Sequence, residues 1–152
     1  MMGRQKKRLA GHERWGTKPS RKSLITKFRK GTTDALWSDV IKLLAKEKCE
    51  YCGKTEHLNS HHIFSRSNLA VRWDVDNGIC LCVGHHIFGN FSAHKAPIDF
   101  IEWLKDKRGL SWYERLRIKA RLVVHLSEQD KINITDHLKK EYEKLSRRQK
   151  KH

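Results

Sequence analysis

Apolar residues recur at Leu36, Val40, Ile41 and Leu44 in "TTDALWSDVIKLLAKEK", close to one helical face, with Thr33 and Asp34 placed to cap its start. That helix leads straight into Cys49. Further on, "APIDFIEWLKDKRG" sets Pro97 near a helix start, Ile98, Ile101 and Leu104 at helical spacing, and Gly109 as a stop. A second helix is predicted at once, because Ser111 and Glu114 fit an S-x-x-E capping box ahead of "RLRIKARLVV". A last amphipathic helix is predicted from Thr135 or Asp136 through Leu138, Tyr142 and Leu145, running down into "SRRQKKH". Between the first helix and Pro97 the helical period is lost, and both the His61–His62 pair and "GICLC" read as extended segments. The pattern is that of a small α+β domain without internal repeats.

Charge extends the picture at the N-terminus. Residues 1–30 are rich in Lys and Arg, carry Glu13 as their only acid and show no sustained period, so they read as a flexible basic arm. The arm is followed by a core over 31–108 and a helical region over 109–152. Lys and Arg number 33 against 17 Asp and Glu, a formal net charge of +16. Such a chain repels itself and calls for a polyanion, nucleic acid before an anionic membrane. No run approaches the roughly 18 apolar residues of a spanning helix, and "MMGRQKKRLAGHERWG" has no secretory apolar segment. The chain is therefore expected in the cytoplasm, where clustered cysteines bind metal more often than they form disulfides.

Cys49 and Cys52 stand in "CEYCG", where a tight turn ending near Gly53 can aim both thiolates at one tetrahedral ion. A partner pair must come from elsewhere. Cys82 and His85 in "LCVGHH" repeat the two-residue gap, and Cys80 is the rival ligand because it would share a strand face with Cys82. A structural Zn²⁺ on Cys49, Cys52, Cys82 and His85 is expected.

His61, His62 and His86 are then left without a role. On an extended strand the rings of His61 and His62 point to opposite sides, so one can bind a metal while its neighbour faces water or substrate. Asn77 lies in "DVDNGICLC", and His86 directly follows the second ligand pair.

The run "SHHIFSR", then "WDVDN", then "LCVGHH", framed by cysteines, resembles the HNH endonucleases of the ββα-metal fold. Over 37–145, the order of C-x-x-C-G, histidine motif, "AVRWDVDN", second knuckle and a helical end in "LKKEYEKL" is most similar to the phage NinG/Rap recombination nucleases. The resemblance implies a zinc-containing ββα-metal core flanked by helices and an endonuclease selective for branched recombination intermediates. It implies His61 as first ligand of a catalytic divalent ion, His62 as general base, Asn77 as the residue orienting that base, and His86 as final metal ligand. Two departures stand out: His85 precedes His86, so the two could exchange roles, and the offset of a further family histidine holds Asn90, with His94 the later candidate for a third ligand.

Mg²⁺ or Mn²⁺ is the first expectation for the catalytic ion, although imidazole donors also admit Ni²⁺ or Zn²⁺. Arg66 and Arg72, between the motif elements, are the candidate DNA-phosphate clamps. Trp73, Trp103 and Trp112 could stack on bases or belong to the core. DNA, including branched forms, is the expected partner, no membrane is, and a homodimer is suggested by analogy with paired-cut enzymes. The competing readings are a site-specific nicking or homing-type HNH enzyme and a zinc-dependent nucleic-acid-binding module without catalysis.

Overall fold

The computed structural model describes residues 33–150. The expected basic arm, 1–30, lies outside them. Helix α1 (Thr33–Leu44) buries Leu36, Val40 and Ile41 as the apolar spacing predicts, together with Trp37 and Leu43, whereas Leu44, placed on the predicted face, is exposed. Strands β1 (Leu58–His62) and β2 (Gly78–Cys82) pair antiparallel, with His61 opposite Ile79 and His62 opposite Gly78. A short 3-10 turn, Val75–Asn77, feeds β2, and a π-helical turn, Gly84–Phe88, follows it. Helices α2 (Pro97–Arg108), α3 (Leu110–Ala120) and α4 (Glu128–Gln149) complete a small α+β structure around a two-stranded sheet.

Every residue of β2 is buried, because the strand lies between two apolar clusters. One takes Ile79 and Leu81 with Phe100, Leu104, Trp112 and Leu116. The other takes Cys80 with Leu36, Trp37, Val40, Ile41 and Leu138. Helix α4 runs alongside α1 in the same direction, from Thr135 beside Thr33 to Gln149 beside the Leu43 carbonyl. Residues of α3 and α4 thus share the cores of the segment before them.

Gly78 is demanded by this packing. A Cβ there would stand 2.3 Å from Ile41 Cδ1 and 2.9 Å from Trp37 Cζ2, so α1 could not approach the strand as it does. Among the described residues the outward edge of β2 meets no third strand. Instead the Glu50 amide donates to the Cys80 carbonyl (2.8 Å), the Cys80 amide donates to Glu50 Oε1 (3.1 Å), and Arg108 donates to the Gly78 carbonyl (3.0 Å) while pairing with Glu50 (2.9 Å).

Three helix boundaries differ from expectation. Helix α3 starts at Leu110, with Gly109 at φ 89° as its N-cap, which places Ser111 inside the first turn and leaves the Ser111–Glu114 box unformed. It ends at Ala120, where Arg121 and Leu122 close back on Ile118 and Lys119, so "LVV" lies outside it. Helix α4 begins at Glu128, earlier than expected, because Ser127 and Asp130 form a reciprocal capping box. No helix among the described residues is long and apolar enough to cross a membrane.

Candidate metal centres

The first centre is built on a knuckle. The Cys49 amide donates to the Lys54 carbonyl (2.7 Å) and the Gly53 amide to the Cys49 carbonyl (2.8 Å), with Gly53 at φ 76°, a conformation glycine adopts without strain. This turn presents Cys49 and Cys52, while the end of β2 and the π turn present Cys82 and His85, bringing four donor atoms within 4.8 Å of one another. Cys52 Sγ lies 3.8 Å from Cys82 Sγ, and His85 Nδ1 lies 3.3 Å from Cys82 Sγ and 3.9 Å from Cys49 Sγ. Two thiolates bound tetrahedrally at about 2.3 Å stand ~3.8 Å apart, so the group could hold a metal ion such as Zn²⁺.

Electrostatics fit a cation there. Burial pushes the Cys49 thiol up, but amide N–H groups of Cys82, Cys52 and Tyr51 outweigh it and hold the thiol below its ordinary pKa. Cys52 is raised, first by burial and then by the neighbouring thiols, a crowding that a bound cation would relieve. Tyr51 packs on His85 at 4.1 Å between ring centroids. Cys80 stands apart: it is fully buried among α1 and α4 side chains, its thiol is pushed up to about 12 chiefly by burial, and it is no member of the group.

The second centre joins His61 of β1, His86 of the π turn and His94 of the loop before α2, again with donor atoms within 4.8 Å. His86 Nε2 and His94 Nε2 are 3.3 Å apart. Imidazoles bound tetrahedrally at about 2.0–2.1 Å have nitrogens ~3.3 Å apart, so the spacing fits ligation of one ion. Burial, then the charges of His86 and His94, lowers His61 to about 3, and burial also lowers His86, which keeps these rings in the unprotonated form that binds metal. His94 comes into place because its amide donates to the His86 carbonyl (3.3 Å). Asn90 is exposed. With His85 among the cysteines and His86 among the histidines, the two do not exchange roles.

His62, the next residue of β1, is not a member of that cluster. Its ring stacks on Trp37, and its Nε2 lies 2.9 Å from the Arg72 carbonyl. A carbonyl only accepts, so Nε2 carries the proton and Nδ1 is the basic nitrogen of the neutral ring. Burial lowers its pKa.

Asn77 is completely buried, and no hydrogen bond joins its side chain to His62. Its amide group accepts from the Phe64 amide (2.7 Å) and donates to the Phe64 (3.0 Å) and Val71 (2.9 Å) carbonyls. It therefore ties both ends of the loop between the motif elements, and Arg72, the next residue, presents the carbonyl that holds His62.

Arg72 is not a free phosphate clamp. It donates two hydrogen bonds to Asp34 (2.9 and 2.6 Å), and hydrogen bonds from Arg72 hold the Asp34 carboxyl below its ordinary pKa. Trp73 Nε1 donates to the same carboxylate (2.7 Å). Arg66, by contrast, is 72% exposed and 3.9 Å from Asp34. Trp112 is core, and Trp103 packs partly buried between Phe100 and Tyr51, so neither offers a free face to a base. Sequence reasoning missed the roles of Trp37 and Asp34: the one reads as an ordinary member of an apolar face, the other as a helix cap.

No family model matches the chain, and no curated protein or solved structure matches it.

Proposed function

We propose that this chain is a metal-dependent DNA endonuclease of the HNH type, with branched DNA as its preferred substrate. The observation that carries the reading is the cluster of His61, His86 and His94 with His62 as the adjacent residue of β1. A structural zinc site does not call for a second donor cluster, and a binding module without catalysis leaves this one unexplained.

In this reading His61, His86 and His94 would hold a divalent ion, which supplies positive charge to a phosphodiester transition state. His62 takes a proton from the attacking water at Nδ1, because Nε2 is committed to the Arg72 carbonyl. Trp37 and that carbonyl hold the ring so that the proton acceptor keeps one orientation. Asn77 acts one step away, by fixing the loop that carries Arg72. Arg66, exposed and only loosely paired with Asp34, can meet a phosphate. The cluster contains no carboxylate among the described residues, and imidazole donors favour Zn²⁺, Ni²⁺ or Co²⁺ over the Mg²⁺ or Mn²⁺ first expected. The +16 charge supports a polyanionic substrate.

The test is cleavage of labelled linear, flapped, three-way and four-way DNAs with each divalent ion in turn. Cleavage only with metal, fastest on a branched form, is expected, and His62→Ala should cut about a hundredfold more slowly while binding DNA as before. Binding without cleavage under every metal would turn the reading to a zinc-dependent binding module.

A further inference from the structure

Two consecutive residues serve two different donor clusters. His85 belongs with Cys49, Cys52 and Cys82, and His86 with His61 and His94. Both lie on the π turn Gly84–Phe88, none of whose residues is buried, with Ile87 40% and Phe88 67% exposed. Apart from the Tyr51 ring on His85, little apolar packing anchors the turn itself. Its other fixed points are backbone hydrogen bonds, the Ser92 hydroxyl and Lys95 ammonium on the Ile87 and Phe88 carbonyls, and whatever its histidine side chains hold.

Those backbone bonds extend the linkage. The Gly89 amide closes on the Gly84 carbonyl (2.7 Å), and the chain then doubles back so that the Ala93 and His94 amides donate to the His85 (2.9 Å) and His86 (3.3 Å) carbonyls. His94 is thus fastened to the main chain of His86, and Ala93 to that of His85. Two of the three donors of the histidine cluster travel with one loop, and only His61 comes from elsewhere, on β1. At the other centre, Cys49 and Cys52 come from a knuckle far from the loop in sequence, so an ion on the cysteines ties the His85 side chain to a separate part of the fold.

We infer that the two centres are thermodynamically coupled through the His85–His86 peptide: an ion on the cysteines tightens metal binding by the histidine cluster. An ion on the histidines tightens the cysteine site by the same factor, because such coupling is reciprocal. The inference rests on the metal-binding reading of the histidine cluster made above. Its direction follows from order: restraining His85 restrains the backbone of His86 and His94, which removes conformational freedom that a second ion would otherwise have to remove. Buried Ser92 and Ala93 anchor the returning arm of the loop independently, so the coupling is partial. An effect on the order of tenfold is expected, within the usual range for linked sites.

The experiment uses the full chain with zinc on the cysteines and Co²⁺ as the probe of the histidine cluster. Ligand-field absorption reports Co²⁺ bound by imidazoles, and a thiolate charge-transfer band reports any that enters the cysteine site. His85→Ala should bind Co²⁺ at the histidine cluster about tenfold more weakly than wild type, although residue 85 is not one of its ligands. His85→Cys, which restores a fourth donor, should recover most of that loss. The reciprocal arm needs no variant of the cysteine site: zinc release triggered by a thiol-blocking mercurial should be slower in wild type with Co²⁺ present than without, and His94→Ala should abolish the difference. If His85→Ala does not fold, this release experiment decides alone. Equal Co²⁺ affinity in folded His85→Ala and wild type, or zinc release indifferent to Co²⁺ in wild type, overturns the coupling. Absence of Co²⁺ from the wild-type histidine cluster removes the coupling and the metal-dependent endonuclease reading together. Loss of the nuclease reading in the DNA assay, with coupling intact, leaves this inference standing.

Discussion

The imidazole of His62 lies flat against the indole of Trp37, with ring centroids 3.8 Å apart and planes 11° from parallel. Trp37 is itself held, buried and donating from Nε1 to the Asp74 carbonyl at 3.0 Å. One face and one nitrogen of His62 are therefore fixed, by a buried indole and a main-chain carbonyl.

Disturbing the stack should lower cleavage without changing binding. In Gly78→Ala the new methyl would press Ile41 and Trp37 away from β2, an overpacking worth about 1–3 kcal/mol of stability. Cleavage at saturating DNA should fall about tenfold or more, in line with the sensitivity of catalysis to small misplacements, while the dissociation constant stays within about twofold. A fall in affinity with an unchanged cutting rate would remove Trp37 from the positioning of His62.

The cysteines should separate cleanly. Cys49→Ser is expected to lose bound zinc and melt at markedly lower temperature, because an ion there would join the knuckle to the end of β2. Cys80→Ala should keep one zinc per cysteine site and lose only about 1 kcal/mol for the small cavity. Elemental analysis beside thermal melts checks both. With its thiol buried and raised to about 12, Cys80 should also resist alkylation in the folded protein.

Stability should depend on acid through the histidines. His61 titrates at about 3 in the folded chain, and His62 and His86 are also lowered by burial, whereas unfolded imidazole titrates near 6.5. The unfolded state thus binds more protons between these limits, so stability is complete above about pH 6.5 and is lost as pH falls toward 3. For His61 the slope approaches about 1.4 kcal/mol per pH unit inside that window, and His62 and His86 add to it in the same direction. Metal-free protein melted at pH 7, 6 and 5 should show a steadily falling midpoint, and protein loaded with zinc a steeper one, because protons then compete with metal as well. A midpoint independent of pH would mean that these rings are solvated.

The two arginines should behave differently on DNA. Arg72→Ala breaks the Asp34 pair and should lower stability by about 1–3 kcal/mol with little change in the salt dependence of binding. Arg66→Ala should leave stability alone and reduce the slope of log affinity against log salt by about 0.9. Melts and salt titrations of both variants test the assignment, and it is reversed if the effects are exchanged.

Much of this arrangement was legible in residue spacing. The apolar face of α1 and the pairs Cys49–Cys52 and Cys82–His85 are local patterns, and local patterns survive folding. The two-residue gap favoured Cys82 with His85 but left Cys80 as a rival, and what divides them is the burial of Cys80 under α1 and α4. His94 was ambiguous for a related reason: it reaches His86 through a loop doubled back by main-chain hydrogen bonds, which no side-chain period reports. The start of α4 was missed because its capping box uses Asp130 where Glu or Gln is the usual signal, and its first turns carry few apolar residues. The Ser111 box failed because Gly109 had already turned the chain into the helix.

The Glu50–Arg108 pair has a bearing on self-association. A strand as apolar as "GICLC" with one unpaired edge is a template on which another extended chain could grow, yet its outward Cys80 amide and carbonyl are already occupied by Glu50 and its Gly78 carbonyl by Arg108. An ion pair thus does for this small sheet what a third strand does in larger ones. Because the carboxylate both accepts from Cys80 and holds Arg108 in place, Glu50→Gln would leave the fold largely built but loosen the guard, and fibril formation in concentrated, warmed samples would be where the loss first became visible.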